Sequence, residues 1–315
     1  MLDVTRNSKF LLVSSIGRGR ETEVASSVRS LDLKTGEVID HVLLTGEHSK
    51  YNVTSKGGSR GARGMVVIRD LLYVASYKKI HEYKIQPTGG LCLIRIIEFP
   101  VIIRNRDLDI HKIYLCPTSG KKLYIVTTGE DAVWLYDLEY GSWLNVYSFS
   151  HLRKHSKSRG SSSDDFLHIN SLSEDSYGHV GSLVLFNNPG IIYNVHSGEI
   201  VLNDHPNLGG SHDLWWENST TILTLDSKSS RVLRIDLSYG TISCIYKFDP
   251  STISSGESNM AGWLRGLCLK AGILYVGCSP GRVLCLKYFG NTCEFIQEYQ
   301  STTDSTDSPF DVKVI

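Results

Sequence analysis

Residues 209–242 read GGSHDLWWENSTTILTLDSKSSRVLRIDLSYGTI and lay out one complete four-stranded meander. A strand opens at His212, a polar break falls at Glu217-Asn218-Ser219, and an alternating strand follows from Ile222 to Leu225. Ser227 to Ser230 turn the chain into Val232–Ile235, and Ser238-Tyr239-Gly240 turn it again into a last strand from Thr241. Short apolar runs separated by polar turns are the pattern of antiparallel sheet.

The same plan recurs outward from this stretch. Downstream it is RGLCLKAGILYVGCSPGRVLCLKYFGNTCEFIQEYQ from Arg265. Upstream it is LHINSLSED with GSLVLFNNPGIIYNVHSGEIVLN, then HKIYLCPTSGKKLYIVTTGEDAVWLYDLEYGSWLNVYSF from His111, then RGMVVIRDLLYVASYKKIHEYKI with a fourth strand at Leu91–Phe99. The N-terminal region supplies only three strands, Phe10–Ile16, Val28–Leu33 and Val38–Leu44, and the final DVKVI from Asp311 supplies the missing opening strand. A C-terminal strand added to three N-terminal ones closes a ring and removes two open sheet edges. The expected fold is all-β: a single six-bladed β-propeller domain over residues 1–315, five blades contiguous and one assembled from both ends. Helical periodicity is absent, and no WD dipeptide recurs, which disfavours a WD40 scaffold. SHLRKHSKSRGSSSDD, from Ser150 to Asp165, reads as a mobile loop because the strand pattern resumes directly after it.

Bulk composition narrows the functional classes. Lys+Arg and Asp+Glu both total 33, so the net charge is zero, which argues against a nucleic-acid binder or a protein drawn to anionic membranes. No apolar run approaches the ~20 residues of a membrane span. Phe10–Val13 is too short for a signal-peptide core, so the sequons at Asn52 and Asn218 carry little weight. The seven cysteines are an odd number with no CxxC pair, as for reduced core thiols, and the expected location is cytoplasmic. P-loop, GxSxG and HExxH motifs are missing, and no organic cofactor is expected.

Aligned on their opening strands, the blades begin at Arg63, His111, His168, His212, Arg265 and Asp311. In a propeller these strands line the central channel, and the long loops before them share one face with its mouth. Three neutral imidazoles from neighbouring rigid strands can hold a divalent transition metal with positions left for water or substrate, so His111, His168 and His212 are the candidate metal ligands and catalytic groups. A metal-free use has one histidine as general base or acid, and a structural use has all three bonded to carbonyls or water. Arg63, Asp311 and Arg265 follow one another around the ring; the arginines are expected either to pair with Asp311 or to clamp an anionic group. Asn170 is placed to reach the channel, and Trp263 to cover a ligand. Asp109, Asp165 and Asp213 are candidates to orient an imidazole, and Trp215 and Trp216 lie on or beside this face.

The series ARGMVVIRDLLYVAS, DIHKIYLCPTSGKKLYIVTTGEDAV, DFLHINSLSED, GSHDLWWENSTTILTLDSKSSRVLRID and LRGLCLKAGILYVGCS resembles a group of bacterial six-bladed propellers that carry domain-of-unknown-function names. More distantly the architecture is similar to gluconolactonase-type lactonases and virginiamycin B lyase-type propellers. That resemblance implies a metal at the channel mouth. The lactonases use carboxylate and amide ligands where this chain offers His111, His168 and His212, a departure that points to a softer metal than calcium. The function expected from sequence is a metal-dependent lyase or hydrolase acting on a small anionic substrate. The alternative is a non-catalytic propeller that binds a ligand or protein through its interblade loops.

Overall fold

The computed structural model describes residues 8–17, 24–45, 60–76, 78–100, 108–116, 119–155, 167–174, 182–186, 190–195, 197–203, 208, 210–253, 261–303 and 307–315. The first strands are β1 (Phe10–Gly17), β2 (Val24–Asp32), β3 (Val38–Thr45) and the short β4 (Arg60–Gly61). Five contiguous four-stranded sheets follow. They are β5–β8 (Met65–Ile68, Leu71–Ala75, Lys79–Ile85, Leu91–Glu98) and β9–β12 (Ile110–Leu115, Lys122–Thr127, Ala132–Asp137, Ser142–Ser148). Next come β13–β16 (Ile169–Glu174, Ser182–Phe186, Ile191–Asn194, Glu199–Leu202) and β17–β20 (Ser211–Asn218, Thr221–Asp226, Arg231–Asp236, Thr241–Lys247). The last is β21–β24 (Leu264–Lys270, Ile273–Cys278, Arg282–Tyr288, Cys293–Gln300). The final strand, β25 (Asp307–Val314), joins the first three in a composite sheet of order β25-β1-β2-β3, with β4 paired to β1.

The molecule is a β-propeller with five contiguous blades and one composite sheet. The innermost strands touch in order, β5 to β9 to β13 to β17 to β21 to β25, and β25 touches β5 again. Burial falls from the channel outward. Every side chain of β18 is buried, whereas the outermost β8 and β24 expose most of theirs and bury only Ile97 and Tyr299. Clusters such as Leu223, Leu225, Leu264, Leu267, Val276 and Leu284 fill the gaps between blades, where each buried aliphatic side chain contributes about 1.5–3 kcal/mol by leaving water.

One turn is built four times, between the third and outermost strands. Asp32, Asp137 and Asp236 each accept two backbone N–H bonds from the residues two and three ahead, and Asn194 accepts one from Ser197. A glycine four residues after each, at φ between +62° and +78°, takes the left-handed position that a Cβ disfavours. This Asp/Asn-x-x-x-Gly period explains why the outer hairpins were legible from sequence.

Three expectations change. β25 begins at Asp307 rather than Asp311, because Pro309 pairs with Ser15 beyond a bulge. Ser150–His155 forms a 3-10 helix rather than open loop, since Leu152 is anchored in the core beside Phe149 and Tyr193; the rest of that stretch lies outside the described residues. Trp215 and Trp216 are packing residues between blades, not part of the channel mouth. All seven cysteines are free thiols, four of them buried. No helix among the described residues is long and apolar enough to cross a membrane.

Candidate functional site

Five of the six innermost strands bulge at one level. The unpaired residue is His111 in β9, Asn170 in β13, Gly266 in β21 and Phe310 in β25, and in β17 the bulge falls at Asp213-Leu214. Asp109, His168, Asp213 and Gly266 have positive φ of +43°, +51°, +62° and +76°, one in each of four consecutive blades. An extra residue at a bulge re-aims the side chains on either side of it. Consecutive residues therefore point into two different layers.

The lower layer is a self-neutralised ionic core. Lys112 contacts Asp213 and lies 3.0 Å from Asp311, and Lys313 lies 3.2 Å from Asp311. The Met65 and Gly266 amides donate to Asp311 and Asp213 at 2.8 and 2.7 Å. Burial alone would lower the Lys112 pKa, but the two carboxylates outweigh it and raise it. Gly64 and Gly266 let these strands approach, since a Cβ would fall 2.5 Å from the Lys112 Cα and 2.7 Å from the Asp311 Cα.

The upper layer gathers most of the residues singled out in the sequence. Arg63, wholly buried, sets a terminal nitrogen 2.5 Å from Asp109 Oδ1, and the other oxygen of Asp109 lies 3.9 Å from His111 Nε2. The rings of His111 and His168 meet edge to face with centroids 5.0 Å apart. The Phe310 ring lies 5.6 Å from the Arg63 guanidinium and 5.3 Å from that of Arg265, and the Trp263 ring lies 5.3 Å from Arg265. His212 Nδ1 lies 2.6 Å from Ser227 Oγ and 3.2 Å from the Gly210 carbonyl. Asn170 Nδ2 donates to the Ser211 carbonyl at 2.6 Å.

Electrostatics keep the imidazoles neutral. Burial pushes the His111 pKa well below its ordinary value, and Arg63, its histidine neighbours and Arg265 push the same way. His212 is lowered likewise by burial first and Arg265 second.

Two expectations about this site are corrected. Asp311 does not sit between the arginines; the bulge at Phe310 turns it down to Lys112, and Phe310 and Asp109 take the places beside the guanidiniums. Among the described residues, no three His, Cys, Asp or Glu side chains are grouped to hold an ion. Two guanidiniums that oppose protonation of His111 would oppose a metal dication by the same Coulomb force. Asp213 serves Lys112 and Gly266 rather than an imidazole, and Asp165 lies outside the described residues.

Phe310, Lys112 and Ser227 were not singled out by sequence. Three hydroxyls cross from the second channel-side strand, or the residue just after it, to the next blade: Ser14 to the Arg63 carbonyl, Thr128 to Ile169 and Ser227 to Leu264. That recurrence was the available signal.

No family model and no curated protein matches the chain. Solved structures match over nearly its whole length at low identity. A chain of a nidogen/laminin complex has TM-score 0.59 and 10% identity, covering 97% of this chain and 98% of its own. A protein of unknown function from Bacteroides caccae has TM-score 0.59 and 11% identity, covering 98% and 99%. The periplasmic gluconolactonase of Pseudomonas aeruginosa has TM-score 0.50 and 12% identity, covering 97% and 99%. At such identities the likeness is one of fold, and the fold is the β-propeller.

Proposed function

We propose that the upper layer is the active site of a small-molecule enzyme, a hydrolase or lyase acting on an anionic substrate. The observation that carries this is the approach of both the Arg63 and the Arg265 guanidinium to one ring, Phe310, beside the Asp109 carboxylate and the buried His111. Arg geometry can take a carboxylate or phosphate of the substrate in bidentate fashion. His111 and His212, held neutral, act as proton acceptors at neutral pH. The likeness to a gluconolactonase supports hydrolytic chemistry on this scaffold. Metal dependence, expected from sequence, is left out of this reading because no three such side chains among the described residues are grouped to hold an ion. We also take the composite sheet as a sixth blade closing the ring, since β25 touches both β21 and β5.

The test is titration calorimetry with inorganic phosphate and with citrate on the wild type, Arg265→Gln and Arg265→Lys. Binding that weakens about tenfold in the glutamine variant, and less in the lysine one, is the expected result. Equal binding in all three overturns the anion site. A turnover screen over lactones and carboxylate esters separates the classes. Turnover lost in His212→Gln supports the enzyme, and binding without turnover supports a non-catalytic ligand-binding propeller.

A further inference from the structure

One chain of contacts fixes the tautomer of a site histidine. The Ser227 hydroxyl, at the end of β18, donates its only proton to the Leu264 carbonyl of the next blade at 2.5 Å. Ser227 Oγ can then only accept from His212 Nδ1, 2.6 Å away. The Gly210 carbonyl, 3.2 Å from the same nitrogen, can also only accept. Both neighbours require a proton on Nδ1, and a neutral imidazole has one N–H, so Nε2 carries the lone pair. That Nε2 is buried with no hydrogen-bond partner among the described residues.

A second buried acceptor belongs to the preceding blade. Asn170 spends its amide nitrogen on the carbonyl of Ser211, the residue before His212, which fixes the orientation of the amide. Its Oδ1 is then the remaining acceptor, and it too is buried without a partner among the described residues. A buried acceptor left unmet costs about 1–3 kcal/mol, so each of the two is a demand on whatever lies against it. Arg265, whose charge acts on His212, follows Leu264 on the strand that Ser227 holds.

Resting on the reading of this layer as an anion-binding active site, we propose that Ser227 locks His212 with its Nε2 as acceptor. Together with Asn170 Oδ1, it selects a substrate carrying hydroxyl or amino donors beside its anionic group. The ligand class is a hydroxylated or aminated carboxylate or phosphate. Ser227 is a positioning residue. His212 Nε2 is the atom that accepts the substrate's proton.

Two measurements test this. The first is the nitrogen-15 spectrum of labelled histidine, assigned with His212→Gln. The wild type should show His212 protonated at Nδ1, Ser227→Ala should show mixed tautomers, and Ser227→Thr should restore the wild-type pattern. A wild-type His212 protonated at Nε2 overturns the lock. The second is calorimetry with matched pairs: lactate against propionate, malate against succinate, glycerol 3-phosphate against propyl phosphate. The hydroxylated member should bind about tenfold tighter or more, and Ser227→Ala should erase that preference. Anions that bind without preference in the wild type overturn the selection alone. If none of the six binds, the anion site and this inference fall together. The wild-type arms decide the matter even if a variant does not fold.

Discussion

Asp109 holds Oδ1 2.5 Å from a terminal nitrogen of Arg63, whose side chain is wholly buried while that of Asp109 is 22% exposed. The pair joins two blades at the level of the bulges, and its second oxygen faces His111. It therefore sets both the residual charge of the site and part of its stability.

Neutralising that carboxylate separates the two effects. Asn tolerates the positive φ of position 109, so Asp109→Asn changes charge with little backbone cost. Losing one partner of a buried pair costs about 3–5 kcal/mol, and the partial exposure of Asp109 places the expectation near the lower end. Urea unfolding should show that loss. Millimolar phosphate should restore part of it, because an oxyanion can take the place of the missing carboxylate; sodium chloride at equal ionic strength should restore less. A variant as stable as the wild type would mean that the pair contributes nothing net.

Histidine burial makes a pH prediction with a definite sign. Folding lowers the pKa of His111 and His212, so below their unfolded value of about 6.5 the unfolded chain binds more protons than the folded one. Stability is then fully present above that pH and falls as the pH drops through and below it, by at most about 1.4 kcal/mol per pH unit for each histidine. Urea midpoints measured from pH 8 down to pH 5 should fall, and in His111→Gln/His212→Gln the slope should flatten. A wild-type slope of opposite sign, or one unchanged in the double variant, contradicts the burial of neutral imidazoles.

Much of the fold and part of the site were legible in the chain. The blade plan at His212–Thr241 and the outer turns at Asp32, Asp137 and Asp236 are local, and local patterns survive translation into structure. His111, His212, Arg63 and Arg265 could be found because each opens an innermost strand. The partners of these residues could not. A bulge adds one residue to one strand and leaves no mark on a period of two, so Phe310 and Asp311 exchange the places that alternation assigns them. Ser227 reads as an ordinary turn residue, and only the position of Leu264 in the next blade gives its hydroxyl a partner.

The ionic core beneath the site yields the most direct test of the two-layer arrangement. Lys112 is buried against Asp213 and Asp311, and Lys313 reaches Asp311 alone. Lys112→Met leaves two buried carboxylates to one lysine and should cost about 3–5 kcal/mol. Asp213→Asn removes the carboxylate that only Lys112 serves among the described cations. The double variant should then lose less than the two single losses combined, with a coupling of about 1–3 kcal/mol by urea denaturation. Additive losses would mean that Lys112 and Asp213 act independently. The upper layer supplies the control. Arg63 pairs with Asp109, and both guanidiniums lie over Phe310, so a folded double variant should keep the phosphate affinity of the wild type. A double variant that folds but loses that affinity would show that the two layers are one electrostatic unit.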